Sequence, residues 1–415
     1  MKKQKTVLIL LLACLLLVSF AACGDPGNTP SEPGDFQVTE PQNTEPTVHN
    51  PTDTPKDDPA YITYTVKNEK AIIISVDKTV SGHIEIPDTL GGYPVTAISD
   101  AAFSGCLYIT GVVIPDSITS IGEAAFSQCT ALADITIGSG LQEIGASVFA
   151  GCKKLTALTI PGNITTIGSE AFCDCENLVT ITISDSVTSV GMDAFKNCVI
   201  KNLIITEGSK IVTAAMVVGS AQNVVIPNSV TKIDNNAFAG CCFTELTLPN
   251  SITAIGKEAF RACYYLVSIN IPDSVTYIDE LAFYGCSNLL EIDIPNSVSF
   301  IGDSAFERCT SLSKITISKS VKSIGRSTFA FCNNLKSVTI PEGVTSLGCG
   351  VFYLSGLENI VIPKSMASID TDAFFCGLKA VYYAGNEMDW SKINISTYLG
   401  DDPFADVTIT YNHST

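Results

Sequence analysis

The sequence predicts a repeat solenoid, mostly β with short helical or 3-10 turns, built from about thirteen repeats of 22–23 residues and capped at both ends. Three observations carry this expectation. Phenylalanine recurs at positions 103, 126, 149, 172, 195, 238, 260, 283, 306, 329, 352 and 374, and Met216 takes the same place inside the one long interval. Ten of these residues are followed three positions later by a cysteine: 106, 129, 152, 175, 198, 241, 263, 286, 309 and 332. Each unit then closes on Leu-x-x-Ile-x-Ile, as in "LADITI", "LTALTI" and "LLEIDI". One such unit cannot enclose a core, whereas a stack of them can.

At the N-terminus, residues 1–22 read as an export signal: Lys2, Lys3 and Lys5 precede an apolar run from Val7 to Phe20 and the small pair Ala21-Ala22. That run is short for a membrane span. The ending "FAAC" resembles the bacterial lipobox, which implies a diacylglyceryl group on Cys23 and a membrane tether outside the cell. Residues 23–59 then hold this cysteine and a linker with eight prolines, eight acidic residues and one lysine. Such a composition cannot bury enough apolar surface to offset its ordering entropy, so an extended, solvated spacer is expected.

The repeat proper occupies residues 103–380. Alternation in the closing hexapeptide puts three apolar side chains on one face of a short strand, and parallel stacking would bury them. The Pro-Asx-Ser that follows leaves the strand through a turn, where Ser186, Ser229, Ser251, Ser274, Ser297 and Ser320 can bond free backbone groups. After Val-Thr-x-Ile comes Gly122, Gly145, Gly168 or its equivalents, replaced by Asp234, Asp279 and Asp370 in other units. Both residue types serve at helix N-caps, so "GEAAF" and "DELAF" are expected to start a short helical turn. Phenylalanine should fill the coil, with cysteine as a small apolar plug beside it.

These units resemble the leucine-rich repeats of the BspA-like family, bacterial surface proteins, over residues 60 to about 380. The resemblance implies a leucine-rich repeat solenoid. It also implies an N-terminal β cap with the first repeat at residues 60–102 and a C-terminal cap at 381–415, which contains the one tryptophan, Trp390.

Composition narrows the chemistry. With 24 Lys and Arg against 42 Asp and Glu, the net charge of −18 argues against nucleic acid as a partner. A parallel cysteine ladder does not offer the facing Cβ atoms a disulfide needs, so buried free thiols are expected. The histidines are His49, His83 and His413, none of them within residues 103–380, which leaves no base for a Ser-His or Cys-His nucleophile there. "CDC" at 173–175 and Cys241-Cys242 lack the spacing and histidines of a zinc site. No catalytic residue, metal or cofactor is expected.

Solenoids bind through equivalent places in successive coils. The exposed strand place reads Thr136, Thr159, Thr182, Thr247, Asn270, Asp293, Thr316 and Thr339, which strand propensity explains as well as recognition does. The place before the second Ile runs Ser120, Glu143, Thr166, Ser189, Lys232 and Ala254, then becomes Tyr277 and Phe300. Tyr264, Tyr265 and Tyr284 lie in the same passage. Exposed aromatics are interface anchors, so these five residues are the candidate binding patch for an extracellular protein or glycan. The alternative is a structural or accessory envelope protein whose rod contacts other surface components of its own cell.

Overall fold

The computed structural model describes residues 47–49, 58–217, 221–396 and 404–413. The export signal, Cys23 and most of the linker lie outside these residues. The chain forms a mostly β parallel solenoid of about fourteen turns with almost no helix.

Two columns of parallel strands run the length of the stack. The hexapeptide strands make the first: Thr180–Ile183 pairs with Ala157–Thr159 before it and Asn202–Ile205 after it, so that Leu158, Ile181 and Leu203 stand in register. Two-residue strands make the second, in which Ile211–Val212, Lys232–Ile233, Ala254–Ile255, Tyr277–Ile278 and Phe300–Ile301 form one sheet. The expected apolar triplet is buried in full at Leu178, Ile181 and Ile183, whereas Ile135 and Ile137 are half-buried beside Leu132.

Between the columns, the "GEAAF" segment is not helical. The residues two before and two after the phenylalanine take left-handed backbone, as at Ala124 (φ 55°) and Gln128 (φ 59°), and a right-handed helix cannot pass through either. The alternation aims every second N–H at the next coil: Ala124, Phe126 and Gln128 donate to the carbonyls of Ala146, Val148 and Ala150 at 3.0, 2.8 and 2.6 Å. The N–H groups between them turn back three residues within their own coil. Each left-handed non-glycine residue costs about 1–2 kcal/mol. The inter-coil bonds offset that cost by satisfying backbone that would otherwise be buried without partners.

The glycine that precedes this segment therefore serves a different purpose from the expected N-cap. A Cβ on Gly122, Gly168 or Gly302 would meet the backbone of the preceding coil. Where aspartate replaces it, Asp279 and Asp370 accept from the very next N–H, of Glu280 and Thr371, each at 2.7 Å.

Phenylalanine fills the coil as expected. The rings of Phe103 to Phe195, and again of Phe238 to Phe374, stack face to face with centroids 4.6–5.8 Å apart. Met216, fully buried, takes the place between the two runs. Cysteine does more than plug a gap: its thiol donates to the phenylalanine carbonyl of the coil before, from Cys129 to Phe103 at 3.2 Å and from Cys309 to Phe283 at 3.2 Å. Nine of the ten column thiols are buried and Cys198 is half-buried, and all are free.

Serine bonding is also inter-coil. Ser186, Ser251 and Ser274 donate to Ile164, Val230 and Ile252 of the preceding coil, and Ser320 to Asn296. Ser229 accepts from the Gly208 N–H, and the buried Ser297 hydroxyl has no partner.

Both ends are closed. At the start, strands β1 (Thr47–His49), β2 (Ile62–Lys67) and β3 (Lys70–Val76) pair antiparallel, so the cap sheet begins upstream of residue 60. Asp58 ties this cap together by accepting from the Tyr64 hydroxyl and the Gly91 N–H. The C-terminal segment supplies a degenerate last coil that contains the one α-helix among the described residues, α1 (Glu387–Trp390). Asn394–Ile395 and Thr408–Thr410 extend the two strand columns, and Phe404 lies 5.4 Å from Phe374 at the foot of the ring column.

Candidate binding surfaces

Because the columns are in register, a side chain's neighbour across coils is set by its place in the repeat. Tyr277 and Phe300 are register partners in the short-strand column, and their rings stack at 4.7 Å and 6°. They remain 37 % and 45 % exposed, so the pair presents one continuous aromatic step to solvent. The Tyr277 hydroxyl donates to Asp279 Oδ1 at 3.2 Å, and partial burial together with that carboxylate pushes the phenol pKa up. Ala254 is the register partner on the other side of Tyr277.

The other three candidates do not join this pair. Tyr264 and Tyr284 lie on the turn segment that carries the phenylalanine column, where they line a cleft of about 530 Å3 with Arg261 and Arg308. Tyr265 is exposed beside Tyr264 but does not line the cleft. The Arg261 guanidinium sits 5.8 Å from the centre of the Tyr284 ring and pairs with Glu258 at 2.7 Å. What looks like one aromatic passage in sequence is two surfaces, because a coil turns through the strand and the bend within 23 residues.

A third group is absent from the sequence reading. Arg308 lies 4.7 Å over Phe331, which meets Tyr353 edge-on at 5.8 Å, and Tyr353 stacks on Phe375 at 5.2 Å. These residues occupy the one or two positions after the phenylalanine of successive coils. The signal available in sequence was the arginine count: the chain has three, Arg261, Arg308 and Arg326, all within one 66-residue stretch. Among the described residues no three His, Cys, Asp or Glu side chains are grouped as a metal site, and no helix is long and apolar enough to cross a membrane.

The profile of the BspA type leucine rich repeat region matches residues 96–220, 216–309 and 253–379. The chain belongs to the BspA-type leucine-rich repeat family. Among solved structures it is similar to a leucine-rich repeat protein from Bacteroides ovatus, with 27% identity over 85% of this chain and 98% of that one and a TM-score of 0.58. A leucine rich cell surface protein from Faecalibacterium prausnitzii is 29% identical over 82% of this chain and 97% of its own, with a TM-score of 0.38. A leucine-rich repeat protein from Eubacterium ventriosum is 22% identical over 90% and 96%, with a TM-score of 0.40. No curated protein matches. Family membership accounts for the solenoid, and it leaves the exposed aromatics of this BspA-type chain to be explained from their own surroundings.

Proposed function

We propose that this BspA-type protein is a non-catalytic recognition module, exported and held at the outer face of a bacterial membrane through a lipid on Cys23. It binds protein or glycan partners outside the cell with the exposed columns of its solenoid. The observation that carries this reading is the Tyr277–Phe300 step. Two large rings kept over one-third exposed, in places that elsewhere hold Ser, Thr, Glu, Lys or Ala, are not needed to form the column. Aromatics of this kind anchor interfaces because they bury much area at little entropic cost.

The family supports a surface address, and the basic, apolar and small-residue order of the first 22 residues supports export. The test is adhesion of whole cells bearing the full chain to immobilised extracellular-matrix proteins and mucin glycans. Cells with Tyr277→Ser and Phe300→Ser together should lose the adhesion to matrix proteins that cells lacking the gene also lose. Undiminished adhesion in the double variant would remove this pair from the binding surface. Equal adhesion with and without the gene would defeat the recognition reading itself.

A further inference from the structure

We propose that the cleft between Arg261, Tyr264, Tyr284 and Arg308 is a binding site for a neutral oligosaccharide of about three sugar rings. This rests on the recognition reading above and assigns it a second place and a ligand class. The cleft spans four coils, whose phenylalanines are 5.4, 5.1 and 5.3 Å apart, so it runs roughly 15 Å along the stack. A pyranose chain advances by nearly one coil spacing per ring. The cleft volume of about 530 Å3 falls within the range of small-ligand sites.

The depression exists because of a local choice of residues. The left-handed place two after the phenylalanine holds Gly285 here, with the slim Gly240 and Ala262 in the preceding coils, whereas the next three coils put Arg308, Phe331 and Leu354 there. A Cβ on Gly240 would stand in open space, and one on Gly285 would lie 4.0 Å from the Tyr264 ring. Tyr264 is 57 % exposed and offers its ring as a platform for the C–H face of a sugar.

Charge decides between ligand classes. Each guanidinium at the cleft already faces a carboxylate of its own, Arg261 that of Glu258 at 2.7 Å and Arg308 that of Glu307 at 3.7 Å. The whole chain carries −18. An acidic ligand therefore meets a repelling field, and gains little from arginines that already have carboxylate partners. Hydroxyl groups both donate and accept, so they match a cleft that offers arginine N–H donors beside the Asn236, Ser287 and Thr310 side chains. A protein hot spot would call for an aromatic ringed by apolar contacts, and Tyr264 instead shares its cleft with Asn236, Ser287 and Thr310.

The test is a glycan array of neutral and acidic oligosaccharides probed with the full chain, followed by calorimetric titration of the neutral hits. Binding of a neutral oligosaccharide should weaken about tenfold or more in Tyr264→Ala and in Gly285→Gln. The second variant fills the cleft at a place where the repeat already carries a left-handed Gln128 (φ 59°). Thermal unfolding and circular dichroism matching the wild type show that the coils are intact. Tyr277→Ser with Phe300→Ser should leave this binding unchanged. No neutral hit, an acidic ligand displacing the neutral ones, or binding that survives both cleft variants overturns the inference. If the array is empty while whole-cell adhesion still depends on the gene, the cleft assignment fails and the recognition reading stands.

Discussion

Removing one ring from the phenylalanine column should cost an amount that depends on how many rings it touches. Phe283 is fully buried and stacks on Phe260 at 5.1 Å and on Phe306 at 5.3 Å. A buried Phe→Ala change costs about 3–5 kcal/mol, and each stacked neighbour contributes about 0.5–1.5 kcal/mol beyond area, so Phe283→Ala should lie near 4–5 kcal/mol. Phe195 is half-buried and stacks on Phe172 at 5.3 Å, with Met216 in the next coil's phenylalanine place. With one ring contact and incomplete burial, Phe195→Ala should cost about 2–3 kcal/mol. Urea titration followed by circular dichroism gives both values. Hydrogen exchange adds the location, since coils contact only their neighbours and the loosening should centre on residues 260–306 for Phe283→Ala. A loss below about 1 kcal/mol at Phe283, or an equal loss at both sites, would refute the idea that ring-on-ring stacking holds the coils in register.

Two further outcomes follow from the same stack. Burial pushes the Cys129 and Cys309 thiols up to about 12. Raised folded-state values mean that their contribution is complete below the unfolded thiol pKa of about 9 and is lost as pH climbs toward 12. Unfolding free energy should therefore decline between pH 9 and 12, with aromatic disulfide reagents reaching these column thiols only after denaturation. Constant stability across that window, or fast native labelling of Cys309, would contradict it. Gly302→Ala should lower the melting temperature, at about 1–3 kcal/mol, because the new Cβ meets the backbone of Asp279 and Glu280. Gly162→Ala, with nothing within 4 Å, should be neutral or slightly stabilising, and the reverse order of melting temperatures would argue against the close-approach account.

Much of the architecture was legible from period alone. Phe, Cys and Leu return at fixed offsets, and only a stack of equivalent coils places every one of them inside. The bend departs from the expected helical turn because its backbone is left-handed at residues such as Ala124, Ser147, Glu170 and Leu281, none of which advertises that conformation. Local propensity favours a helical turn there. Carbonyls one coil away, 20 or more residues distant in sequence, pull every second N–H outward instead. Cysteine's bond to the phenylalanine carbonyl was hidden for the same reason, since its acceptor lies 26 residues upstream.

The candidate surfaces divide along the same line. Tyr277 and Phe300 could be paired on paper, because equal places in successive repeats must be neighbours. Tyr264 and Tyr284 fall on a different side of the coil, and their grouping with Arg261 and Arg308 depends on which way each bend faces. Sequence by itself determined the repeat, its core and the family, since apolar periodicity is a property of residue order. Tertiary structure decided the bend conformation, the partners of serine and cysteine, and the division into two aromatic surfaces. Those are contacts between coils, and their geometry exists only once one coil rests on the next.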